Sequence, residues 1–212
     1  MSEGQSIWKQ SFFDEVEEIR LKDPLAVVLG AMDEEEEIVF KYADIVKMAG
    51  HSCPSVSGAY KLTALALKAL YGDEIPVRGD IAVTVKGGIE DLTYGPMSQV
   101  ITLITGASGE TGFKGLGGGL YGRYRLLSFD EENLEANVFV FERRDNGKKA
   151  KVSFNPGVLP ANPRIGELIG DVISGSAGKE ERDEFHSLWQ GKVKTILMDD
   201  KKYAGLFEVS EI

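Results

Sequence analysis

A histidine and the chain's only cysteine stand two residues apart, at His51 and Cys53, in the stretch HSCPSVSGAY. Imidazole nitrogen and thiolate sulfur are the donors that zinc and similar borderline divalent ions prefer. The cysteine falls just ahead of a helix start, where unpaired amides and the helix dipole favour an anionic ligand. Pro54 stiffens the turn between this pair and the helix. Two ligands do not close a tetrahedron, so two other readings stand beside the metal. One is a small thiol packed next to a capped helix; the other is a nucleophile with a histidine base.

The second stretch with chemical potential is TGASGETGFKGLGGGLYGR, residues 105–123. Gly117 to Gly122 satisfies G-x-G-x-x-G, but the dinucleotide fingerprint must follow a strand and open a helix. Here the glycines lead into the strand-like YRLLSF, so they predict a loop of unusual backbone dihedrals. With Lys114, Arg123 and Arg125 nearby, exposed amides in such a loop form an anion-tolerant rim, with Lys114, Gly115 and Arg123 as its candidate residues. His186, one step off an apolar stripe and next to Phe185, reads as a flank residue. No G-x-S-x-G elbow is present.

The elements that must position these residues follow from periodicity. Phe12, Phe13, Val16 and Ile19 recur at helical spacing and predict a first amphipathic helix ending near Asp23-Pro24, with a second from Pro24 to Met32. Glu37 to Tyr42 reads as a strand, Ala43 to Gly50 as a helix. SVSGAYKLTALALKALYG predicts a long helix, with Ser55 or Ser57 as N-cap and Gly72 as its stop. DIAVTVKG (80–87) alternates like a strand, Pro96 to Thr105 reads as a helix, and YRLLSF as a strand. EANVFVFERRDNGKKAKVSF is a hairpin turning at Asp145-Asn146-Gly147. After the connector NPGVLPANP come helices around Arg164–Ile173 and Lys179–Met198, then a strand in AGLFEV. The expected class is α+β: a mixed sheet with a C-terminal hairpin, flanked by helices. Residues 1–155 are expected to form the core with its N-terminal helical segment, and 156–212 a helical extension packed on it.

Bulk properties narrow the functions. In 212 residues, 24 basic and 34 acidic side chains give a net charge of −10, which repels nucleic acid and anionic membranes. No apolar run reaches the ~20 residues of a bilayer span. One cysteine forms no internal disulfide, which suits a reducing compartment. The first residues lack a basic segment followed by an apolar one, so the expectation is a cytoplasmic protein.

Several motifs in chain order carry a family resemblance. Gly50-His51-Ser52-Cys53-Pro54, followed by Gly58 and an Ala- and Leu-rich helix, resembles a motif of the FmdE family, which takes its name from formylmethanofuran dehydrogenase. Gln99-Val100 with Leu103-Ile104-Thr105-Gly106, then Phe113-Lys114-Gly115, resemble its "QVLTG" helix end and "FGKGN" loop. Phe141 to Lys148 resembles its "F-R-D-T-G-K" hairpin, and Phe185 with Leu188-Trp189-Gln190 and Val193 its closing helix. The likeness spans roughly residues 40–200.

That resemblance implies an α+β, metal-binding, often dimeric module associated with a molybdenum or tungsten dehydrogenase. His51 and Cys53 land on the metal-associated positions, and zinc is the expected ion. Ser55 departs from the usual glycine, Gly95-Pro96 stands where relatives have "CP", and Thr105-Gly106-Ala107 stands for "TGC". Those changes remove sulfur ligands, so oxygen donors, water or a partner chain must complete any site. Glu90, Asp91 and Tyr94 are the candidates within the chain. The expected function is a metal-binding module with a small-molecule pocket beside the ion, working as a homodimer. The alternative is a non-catalytic accessory component of a larger oxidoreductase.

Overall fold

In a computed structural model describing residues 6–212, the chain opens on an antiparallel pair, β1 (Ile19–Leu21) and β2 (Ile38–Phe40), with Ile19 opposite Phe40. Between them lies a short helix, α1 (Pro24–Val28), N-capped by the Asp23 carboxylate. The first amphipathic helix, expected to carry Phe12 to Ile19 and end near Asp23-Pro24, does not form. Ser11–Asp14 makes one 3-10 turn and Ile19 enters β1 instead. Phe12, Phe13, Val16 and Ile19 are nevertheless all buried. A short isolated helix is marginal in water, and the pairing with β2 overrides the local signal. Likewise α1 stops four residues short of Met32, because Gly30 turns the chain at φ +72°.

Two helices then carry the centre of the molecule, α2 (Tyr42–Ala49) and α3 (Pro54–Tyr71). The N-cap of α3 is Cys53, not Ser55 or Ser57. Pro54 takes the first helical position, where its missing N–H costs nothing, and this sets the start one residue after the cysteine. Ser57 instead donates its hydroxyl back to the Cys53 and Pro54 carbonyls.

Beyond α3 come β3 (Ile81–Val85), α4 (Tyr94–Thr105) and β4 (Leu127–Phe129), then β5 (Val138–Arg143) and β6 (Lys149–Phe154). The chain finishes with α5 (Pro163–Ser174), α6 (Lys179–Met198) and β7 (Phe207–Glu211). The main sheet has the order β4-β3-β5-β6-β7. Only its β3–β4 pair is parallel, so α4 and the glycine-dense loop serve as the crossover that parallel strands require. Every other neighbouring pair in this sheet is antiparallel, and β5–β6 is the predicted hairpin. The architecture is the expected α+β.

The core lies between the sheet and α3 with α4. Ile81, Val83, Val85, Phe139, Phe141, Ala150, Val152 and Phe154 form the buried sheet face. Gly58 lets α3 sit flat on it: a Cβ there would lie 2.4 Å from the Phe154 ring. Tyr60 donates its hydroxyl to the Glu17 and Phe40 carbonyls, tying the small sheet to α3. The C-terminal segment joins the same body, because α6 packs on α3 and β7 on β6.

Candidate functional site

The His51–Cys53 turn links α2 to α3 and is held from three directions. Gly50 ends α2 in the left-handed conformation. The His51 ring nitrogen Nδ1 lies 2.9 Å from the Ala49 carbonyl oxygen, which can only accept, so Nδ1 carries the proton. Ser52 is pinned on both sides: its hydroxyl is 2.9 Å from the Tyr42 hydroxyl, and its carbonyl accepts from Trp189 Nε1 at 3.0 Å and Gln190 Nε2 at 3.3 Å. The link from α6 joins residues 137 positions apart. Helical periodicity assigns Trp189 only an apolar role, and its part in fixing this turn leaves no local signal.

Tied to Ala49 through Nδ1, the neutral imidazole keeps its Nε2 lone pair available, the tautomer that backbone carbonyls impose on metal-binding histidines. His51 is exposed, and Cys53 is half-buried with its side chain against the edge of the core. The thiol makes no side-chain capping bond to α3. Beneath it, burial holds the Tyr42 hydroxyl protonated far above its ordinary range. A thiolate at Cys53 pushes it the same way, against the hydrogen bonds of Ser52 and Ser57.

The donor set is therefore a nitrogen and a sulfur on one fixed turn. Among the described residues, no group of three or more His, Cys, Asp or Glu side chains gathers where a metal could be held. His51 and Cys53 alone do not make a closed four-ligand zinc site, and a metal held by them would need ligands from outside the chain.

The other predicted residues lie elsewhere. Asp91 caps its own turn by accepting from the Gly88 amide at 2.9 Å. Tyr94 begins α4 and is buried, donating to the Glu135 carbonyl and accepting from the Asn137 amide at 2.8 Å. Burial lifts its hydroxyl above the usual range, so it acts there as a neutral strut. Glu90 and Lys114 are exposed on loops. Gly115 has φ +95°, and a Cβ on it would lie 2.6 Å from the Gly119 carbonyl carbon, so the loop closes on itself there. Arg123 turns inward to the Asp23 carboxylate, which also accepts from Arg78. His186 stays on the outer surface of α6, 3.5 Å from Lys9.

Sequence reasoning misses Asp23 and Arg78 as parts of a site. The Asp-Pro pair at 23–24 is a readable helix cap, but nothing in the sequence pairs it with arginines 55 and 100 residues away.

Fold and turn together define an α+β module presenting a His-x-Cys donor pair at the head of its central helix. The chain belongs to the family described as FmdE, Molybdenum formylmethanofuran dehydrogenase operon, which it matches over residues 48–204. The matched span runs from the end of α2 to the turn before β7, and so includes the His51–Cys53 turn. No curated protein matches its sequence. Among the described residues, no helix is long and apolar enough to cross a membrane.

Proposed function

We propose that this chain is a zinc-binding accessory module for a dehydrogenase of the formylmethanofuran type, acting in the cytoplasm, and that His51 and Cys53 supply half of a metal site. The observation that supports this most is the Nδ1–H bond to Ala49, which leaves Nε2 as the free donor two residues from an uncapped sulfur. The remaining coordination positions fall to water, a bound small molecule or a second copy of the chain. A homodimer pairing two such turns would supply two nitrogens and two sulfurs, a set that zinc accepts. When bound, zinc supplies Lewis acidity; the residues of this chain hold it and fix its approach. The family's operon description favours a partner oxidoreductase over chemistry carried by this chain alone.

The test is metal analysis of protein reduced, loaded with zinc and desalted, beside Cys53→Ser and His51→Ala. Retained zinc of about half to one ion per chain, lost in both variants, is the expected result. Sedimentation with and without zinc then reads whether the ion bridges two copies. A metal-free wild type, or equal retention by the variants, rejects the proposal.

A further inference from the structure

A cavity of about 210 Å³ opens between α1, the strand entry before β3, and the end of the glycine-dense loop. Arg78, Arg123 and Arg144 line it together with Asp80 and Tyr121, in a protein whose net charge is −10. We propose that this cavity is a binding site for a small oxyanion, a carboxylate or phosphate group on a short carbon body. It stands apart from the metal reading, because none of its lining residues belongs to the His51–Cys53 turn.

Two of the arginines are built in. Asp23, 4% exposed, accepts from Arg123 through Oδ1 and from Arg78 through Oδ2 at 3.0 Å, while also capping α1. Arg78 spends two more donors on the Leu103 and Ile104 carbonyls at the end of α4. Both stems pack on Gly106, where a Cβ would lie 3.3 Å from Arg123 Cδ and 3.4 Å from Arg78 Cγ. The guanidiniums are thus fixed before any ligand arrives, which removes the ordering cost of binding.

The charges are not used up. Three of the lining residues are arginines and one is a carboxylate, Asp80, while Asp23 behind the wall pairs with Arg78 and Arg123. Burial, then the nearby Asp145, pushes the Asp80 carboxyl above its usual range, against the pull of Arg144 and Arg143. Arg123 commits one N–H to Asp23, and its buried Nε has no partner among the described residues. Arg144 is exposed at the rim, and no hydrogen bond or ion pair engages its side chain among the described residues. Its backbone amide donates to the Asp80 carbonyl at 3.0 Å, which holds its Cα at the cavity.

Tyr121 closes part of the cavity rim. It sits at φ +60°, a conformation costly for an aromatic residue, and is one of the residues lining the cavity. Leu25 and Val77 supply apolar wall for the carbon body. The space admits an anion of phosphate or short dicarboxylate size.

The test is calorimetric titration of the full chain with sodium phosphate and, separately, sodium succinate at millimolar concentration, with sodium chloride matching the ionic strength. Saturable binding of either anion is expected, weakened at least about tenfold in Arg144→Gln by loss of a charged hydrogen bond. Lys201→Gln, which removes the same charge outside the cavity, leaves the affinity unchanged. Phosphate alone assigns a tetrahedral group, succinate alone a carboxylate, and both together the wider oxyanion class. Circular dichroism checks that Arg144→Gln is folded, and Arg144→Lys, which keeps the charge, recovers part of the affinity. Saturation by neither anion, or equal affinity in Arg144→Gln and the native chain, overturns the proposal.

Discussion

Gly58→Ala is the sharpest probe of how the central helix meets the sheet. In an ordinary helix interior, replacing glycine by alanine stabilises by ~0.5–1 kcal/mol. Here the new Cβ would stand 2.4 Å from Phe154 Cε1 and 2.7 Å from Cδ1 and Cζ. Carbon atoms rest at ~3.5–4.0 Å, so about 1 Å of separation must be found. Phe154 cannot yield it easily. It is 2% exposed, stands on β6 between β5 and β7, and stacks on Phe207 with ring centres 5.0 Å apart. Overpacking of this kind costs ~1–3 kcal/mol. Net of the propensity gain, Gly58→Ala should lose ~1–2 kcal/mol, or roughly 3–6 °C in Tm for a chain of this length. Urea and thermal unfolding of Gly58→Ala, Phe154→Leu and the double variant measure it. In the Phe154→Leu background the alanine should become neutral or stabilising, a coupling that neighbours sharing one contact display. If Gly58→Ala matches or exceeds the parent in stability, the ring does not lie against the helix and the packing argument fails.

Asp23→Ala should cost ~3–5 kcal/mol, because it strands two largely buried guanidiniums. Burial pushes the Asp23 carboxyl up, but the Arg123 and Arg78 hydrogen bonds outweigh it and hold the group below its usual value. Its stabilisation is therefore full above about pH 4 and fades as pH falls through the lower folded value. Tm followed against pH should drop more steeply in the parent than in Asp23→Ala, and parallel curves would contradict this. Tyr94→Phe should lose ~1–3 kcal/mol in urea unfolding, since it orphans the Asn137 amide and leaves the Glu135 carbonyl only its bond from the Val138 amide. Trp189→Phe removes the Nε1 bond to Ser52 at ~0.5–1.5 kcal/mol. Hydrogen exchange should then quicken at residues 51–53 while the hairpin stays protected.

What can be read from the chain is what neighbours in sequence decide. The hairpin announces itself through alternation on both sides of Asn146-Gly147, with Gly147 at φ +75°. The helix Lys179–Met198 is legible because twenty residues pass without a proline and an apolar stripe runs through Leu188, Val193, Ile196 and Leu197 despite Gly191. The N-terminal segment is not, since Phe12 to Ile19 has helical spacing but its last residue is claimed by Phe40 across a strand pair. The donor pair His51 and Cys53 is visible as residue types, whereas the bonds that hold its turn come from Trp189 and Gln190 far along the chain. The arginine cluster is half visible: Arg123 stands out beside the glycines, but its partners lie on α1 and before β3. Long-range electrostatics leave no periodicity to read.

Rigidity and incompleteness meet at the His51–Cys53 turn. Ser52, between the two donors, receives bonds from α2 and α6, and the helix that follows is locked to the sheet at Gly58. A turn needed only as a connector between two helices gains little from such support. A donor pair gains much, because each donor held in place before the ion arrives lowers the ordering cost of coordination. Yet the described residues bring no third donor. The positions where the family resemblance implies sulfur are Gly95-Pro96 and Ala107 here, and Ala107 is fully buried in the core. A cysteine at 107 would place a thiol in apolar packing, so under the proposed metal role the further ligands come from beyond the chain. In that proposed role, an exposed His51 beside a half-buried Cys53 takes its remaining ligands from a docked partner.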